Sequence, residues 1–124
     1  MIQAMLIVVS MLLGIVMGCI TGITPGLHIN LVALIVVAFF TQGISLNLAA
    51  FIVAMSITHT FVDFLPSIFL GMPDEDTALS VLPGHRMMQK GFGYAAFKLS
   101  LIGSLLGLVI AVLLLPVYSF AVPK

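Results

Sequence analysis

Charge is what this sequence has least of. Of its 124 residues only 6% are charged, four Lys or Arg against four Asp or Glu, and tryptophan is absent. A soluble domain carries about 25% charged residues, because it needs a solvated surface. Here 62% of the residues are apolar and the mean hydropathy is +1.35, so the solvent that suits the chain is lipid. The net charge of zero leaves no basic face to neutralise phosphates, which excludes nucleic acid as a partner. A lone cysteine, Cys19, permits no internal disulfide and fits no metal-ligand spacing, and reads as a small packing residue. The first residues lack a basic n-region and a small-residue cleavage site, so they read as a membrane span and not as a secretory signal.

Four apolar stretches follow one another, over residues 2–23, 27–44, 47–70 and 92–117, with a polar loop at 71–91. A helix needs about 20 residues to cross the hydrocarbon. Each stretch approaches or exceeds that, the second least securely; it can also be read as the return limb of a re-entrant hairpin. The expected fold is all-α: one polytopic transmembrane domain over residues 1–124, with broken or re-entrant helices. Arg86, Lys90 and Lys98 place the third connection on the cytoplasmic side by the positive-inside rule, and the N-terminus outside.

Gly14, Gly18, Gly22 and Gly26 recur every four residues, a spacing that draws one side-chain-free groove along a helix. Membrane helices associate by close packing, since lipid tails are as apolar as leucine, and small residues let backbones approach. Ser100, Gly103, Ser104 and Gly107 form a second such set. The first ladder runs into Thr24-Pro25-Gly26, where proline removes a donor and glycine accepts almost any backbone angle. An interruption there exposes N–H groups at the start of the next helix, with Asn30 one turn inside. Such a start attracts anions, and discontinuous helices form substrate sites in secondary transporters. The plainer alternative is an interhelical turn at the membrane surface.

The third stretch carries Ser56, His59, Thr60, Asp63 and Ser67 on roughly one helical face, at 100° per residue. A carboxylate at membrane depth is expensive and generally faces a bundle interior or a watery path. His59 and Asp63, four residues apart, are close enough to interact. Asp63, with His59 and Ser67, is therefore the candidate coupling-ion or proton site; a satisfied pair that locks two helices is the rival. No spacing ties His28, His59, Asp63 and His85 into a zinc site, so neither metal nor cofactor is expected. No serine or cysteine stands beside a base in a recognisable motif, so the chain does not read as an enzyme.

Five of the eight charged residues collect in the loop GMPDEDTALSVLPGHRMMQKG. Asp74, Glu75 and Asp76 suit the start of a short helix, which Pro83-Gly84 is expected to stop. Taken together, GxxxGxxxGITPGL, the GMP and PGHRMMQKG of this loop, and KLSLIGSLLG resemble the N-terminal part of the large membrane subunit of the tripartite tricarboxylate transporter family. The resemblance covers most of the chain. It implies a permease subunit for ion-driven uptake of organic carboxylates across the cytoplasmic (inner) membrane. It also implies a small membrane subunit and an extracytoplasmic binding protein as partners, and a second half like the first. The chain would then be a fragment, a split half, or one member of a larger or homo-oligomeric assembly. Thr24, Pro25, Gly26 and Leu27 match one family motif and Gly71, Met72 and Pro73 the other. These two breaks, with Asn30, are expected to approach each other and shape the substrate site. A non-transporting assembly subunit that packs a larger partner is the alternative.

Overall fold

The computed structural model describes residues 1–40, 43, 45–72 and 78–121. Pro73, Asp74, Glu75 and Asp76, all singled out above, lie outside the described residues. Among the described residues six α-helices follow in order: α1 (Ile2–Ile23), α2 (Ile29–Phe39), α3 (Leu46–Val62), α4 (Phe64–Leu70), α5 (Ala78–Met87) and α6 (Gly93–Ala121). Ile2–Ile23, Leu46–Leu70 and Pro83–Phe120 are long and apolar enough to cross a membrane. The chain is an all-α polytopic membrane protein, with no strand among the described residues.

The glycine ladder is where α1 meets α3. A Cβ placed on Gly14 would run into the Phe51 carbonyl. On Gly18 it would lie 2.5 Å from the Met55 carbonyl oxygen and 2.7 Å from Thr58 Cβ; on Gly22, 2.8 Å from Val62 Cβ. Near the start of the pair, Gln3 Nε2 donates to Asn47 Oδ1 at 3.2 Å. Residue numbers rise together on the two helices, so α1 and α3 run parallel. Met55, fully buried, and Ala54 and Leu48 fill the seam.

A parallel pair forces the chain to return between its members. Residues 24–45 must travel back along the 22 residues of α1, about 33 Å. The 11 residues of α2 supply about 16 Å of that path, so the second apolar stretch returns in part on a half-length helix. Its entry is a reverse turn: the Leu27 N–H donates to the Thr24 carbonyl at 3.3 Å, with Gly26 at φ +81°. Proline second and a positive-φ glycine third are the requirements of a type II turn.

The third stretch breaks at Asp63. Pro66 has no N–H to offer the Val62 carbonyl four residues back, and α3 ends at Val62. The chain restarts at Phe64 as α4, which ends at Gly71 in the left-handed conformation (φ +66°) that glycine adopts without cost.

The loop helix departs from expectation. Pro83-Gly84 does not stop it; α5 continues to Met87, and the kink falls at Gly91 (φ +86°) instead. The physical reason is tertiary. Gly84 is buried against Ile68 and His85 bonds the Ile68 carbonyl, which outweighs the one bond that Pro83 forfeits. Beyond the kink α6 runs antiparallel to α3 and α4: Gly93 packs on Phe69, while Ser104 and Gly107 share a groove of about 380 Å³ with Ser56 and Thr60. Gly103 and Gly107, unlike the α1 ladder, face open space.

The two ladders therefore answer differently to one methyl group. Gly18→Ala should destabilise the protein in detergent by about 1–3 kcal/mol, the usual cost of overpacking. Gly103→Ala should leave the melting temperature unchanged or raise it, because alanine is the better helix former. Thermal unfolding of both variants checks this.

Candidate functional site

Where α1 ends, its last turn and the reverse turn after it face the α3–α4 break across a small cavity. Thr21, Gly22, Thr24, Pro25 and Gly26 line one side, and His59, Asp63, Pro66, Ser67 and Met72 the other. The two helix interruptions thus meet at one depth. That follows from the parallel packing, which sets Gly22 of α1 beside His59 and Val62 of α3.

Four of the lining side chains are polar and buried: Thr21 at 2% exposure, His59 at 5%, Asp63 at 6% and Ser67 at 1%. Their hydrogen bonds are directional enough to assign roles. The Thr21 hydroxyl donates to the Gly18 carbonyl at 3.2 Å, and its oxygen lies 3.0 Å from His59 Nδ1. A hydroxyl has one proton; with that proton on Gly18, the oxygen accepts from Nδ1–H. Ser67 Oγ donates to the Asp63 carbonyl at 2.8 Å, bridging the break, and the Asp63 N–H holds the His59 carbonyl at 2.9 Å. Thr24 Oγ1 donates to the Ile20 carbonyl at 2.7 Å, which satisfies one of the orphan acceptors at the end of α1.

The structure brings together eight of the residues singled out from the sequence: Gly22 of the ladder, and Thr24, Pro25, Gly26, His59, Asp63, Ser67 and Met72. Leu27 and Gly71 flank the lining without joining it, and Asn30 is exposed on α2. Pro73 lies outside the described residues. The polar stripe divides: Ser56 and Thr60 turn to the groove beside α6, away from the cavity. Thr21 and Pro66 complete the lining and were not anticipated. Their signals were present, since Thr21 sits on the ladder between Gly18 and Gly22, and Pro66 is an internal proline one turn from Asp63. Among the described residues no three His, Cys, Asp or Glu side chains are grouped to hold a metal. The cavity's volume is about 10 Å³, space for one water-sized body.

This pairing of interrupted helices sits in a chain whose residues 8–124 match the tripartite tricarboxylate transporter TctA family. The chain belongs to that family. The uncharacterized protein MJ1079 of Methanocaldococcus jannaschii is 43% identical to it over 110 residues, which are 89% of this chain and 28% of that protein. The chain thus spans less than a third of the length of that relative. No solved structure matches it. Membership makes the chain akin to a permease component of a tripartite tricarboxylate transporter.

The Thr21–His59 bond can be tested by itself. Thr21→Val removes the acceptor and leaves a buried ring donor to be satisfied elsewhere, at about 1–3 kcal/mol. Thr21→Ser keeps the oxygen and should retain most of the stability. Comparison of their melting temperatures with the parent protein decides.

Proposed function

We propose that the cavity is one wall of the binding site of an ion-coupled secondary transporter for organic carboxylates, working in the cytoplasmic membrane. In this reading His59, Asp63 and Ser67 serve the coupling cation. Thr24, Pro25, Gly26 and Met72 shape the carboxylate's side of the site, with Leu27, Asn30, Gly71 and Pro73 near it. The observation that carries the reading is the burial of Asp63, His59 and Ser67 at the meeting of two broken helices, in a chain with 6% charged residues. Packing alone does not call for a carboxylate there, because intramembrane ionisable groups are costly and gather on ion and substrate pathways. Family membership supports the carboxylate class and, as partners, a binding protein outside the membrane and a small membrane subunit.

The size of the cavity fits a closed state. A space of about 10 Å³ admits one small ion or water but no di- or tricarboxylate. The carboxylate then enters when the two breaks part, which is how broken-helix transporters alternate access around a fixed site. Arg86, Lys90 and Lys98 orient the breaks towards the cytoplasmic half of the membrane. A second reading, an assembly subunit without transport, draws on Gly103 and Gly107, whose open face suits a further helix. It leaves the buried Asp63 unexplained.

Uptake of a radiolabelled carboxylate by cells expressing the transporter with its partner subunits separates the readings. Asp63→Asn should abolish uptake at normal membrane expression; full uptake would remove the coupling role. Gly26→Leu, which forces a branched side chain into φ +81°, should lower uptake at least tenfold. Should both variants transport normally, the assembly reading stands.

A further inference from the structure

The transport reading gives no task to the Pro83-Gly84-His85 sequence, yet this segment grips the last turn of α4 at three points. Ile68, 2% exposed, is the anchor. Gly84 lies so close that a Cβ there would sit 3.1 Å from Ile68 Cγ1. His85 Nδ1 lies 2.9 Å from the Ile68 carbonyl oxygen. That oxygen carries no proton, so Nδ1–H is the donor. The Ile68 carbonyl is among the last four of α4, which have no partner within the helix. The imidazole also covers Gly71: a Cβ at this position would lie 3.1–3.3 Å from ring atoms Cε1, Nε2 and Nδ1. Gly71 is therefore held to glycine twice, by its φ of +66° and by the ring above it.

The residue that follows is Met72. Its N–H reaches back to the Pro66 carbonyl at 3.5 Å, and the residue closes the cavity opposite Thr24, Pro25 and Gly26. Through that bond to Pro66, Met72 is tied to α4, so the position of the last turn of α4 bears on the position of Met72. We propose that His85 is a positioning residue: through the Ile68 carbonyl and the ring contact with Gly71 it holds Met72 against the Thr24–Gly26 turn. The loop helix α5 is thereby mechanically joined to the cavity wall. The consequence for transport rests on the function proposed above, but the positional claim does not.

A crosslinking experiment on the full-length protein in membranes reads position directly. The protein, with Cys19→Ala and every other cysteine of the full chain replaced, receives Thr24→Cys and Met72→Cys, and a short bifunctional thiol reagent joins the two sites. A control pair, Gln3→Cys with Asn47→Cys, reports the distant α1–α3 contact. His85→Ala should lower the Thr24–Met72 yield at least threefold while the control pair keeps its yield. His85→Asn should restore it, because the Asn amide nitrogen occupies the place of Nδ1. His85→Gln, whose nitrogen reaches one atom further, should not. An undiminished yield in His85→Ala overturns the proposal. So does loss of the control crosslink, which would make His85 a determinant of the whole fold. Equal behaviour of the Asn and Gln variants overturns it too. None of these outcomes depends on transport, so failure here leaves the carboxylate reading to its own test.

Discussion

The close approach of α1 to α3 is the constraint on which the rest of the structure depends. In lipid no hydrophobic gain draws two apolar helices together, so contact rests on how near the backbones can come. Gly14, Gly18 and Gly22 remove the side chains that would stand between them, and the carbonyls of Phe51 and Met55 settle into the vacated groove. The register that results is parallel, and parallel packing of helices joined by only 22 residues has a consequence. The intervening chain must recross the full depth with little length to spare, which leaves room for a half-helix and for irregular backbone at its start. The Thr24–Gly26 turn is thus a product of the helix pair as much as of its own proline and glycine.

That same register decides what the turn faces. Gly22 sits beside His59 and Val62, so the end of α1 arrives at the point where Pro66 has broken the third segment. Polar groups are costly in the hydrocarbon unless they are satisfied, and the glycine seam is what lets them be. Thr21, one step from the ladder, donates a hydrogen bond to the Gly18 carbonyl and accepts from His59 across the interface. Ser67 bridges the break by bonding the Asp63 carbonyl. Close packing and polar chemistry are one feature here: widen the seam by a methyl group and the Thr21–His59 bond lengthens with it.

Much of this arrangement was legible in the residues because it depends on local rules. Four-residue glycine spacing marks a packing groove whatever the fold, and a Pro-Gly pair between apolar runs marks a turn. An acid in an apolar stretch marks an interior face. The failures share a cause as well. Helical arithmetic put Ser56 and Thr60 with Asp63 because it assumed one unbroken helix against one neighbour. The break at Asp63 and the presence of α6 gave those hydroxyls a different groove. Pro83-Gly84 reads as a helix stop by propensity, and propensity lost to the anchoring of Gly84 and His85 on Ile68, seventeen positions away from His85. Pro66 was overlooked inside an apolar run, although its missing N–H is the local reason that α3 ends at Val62.

What the sequence by itself determined is the solvent, the helices and the places where they break. Those follow from composition, from length against the thickness of a bilayer, and from the backbone chemistry of proline and glycine. Only the tertiary structure decided which breaks face each other. That is a question of helix direction and register, set by the sum of carbonyl-to-glycine contacts along a seam of three turns. No single residue encodes such a sum, and so Thr24–Gly26 and Met72, nearly fifty residues apart, become neighbours only in the folded chain.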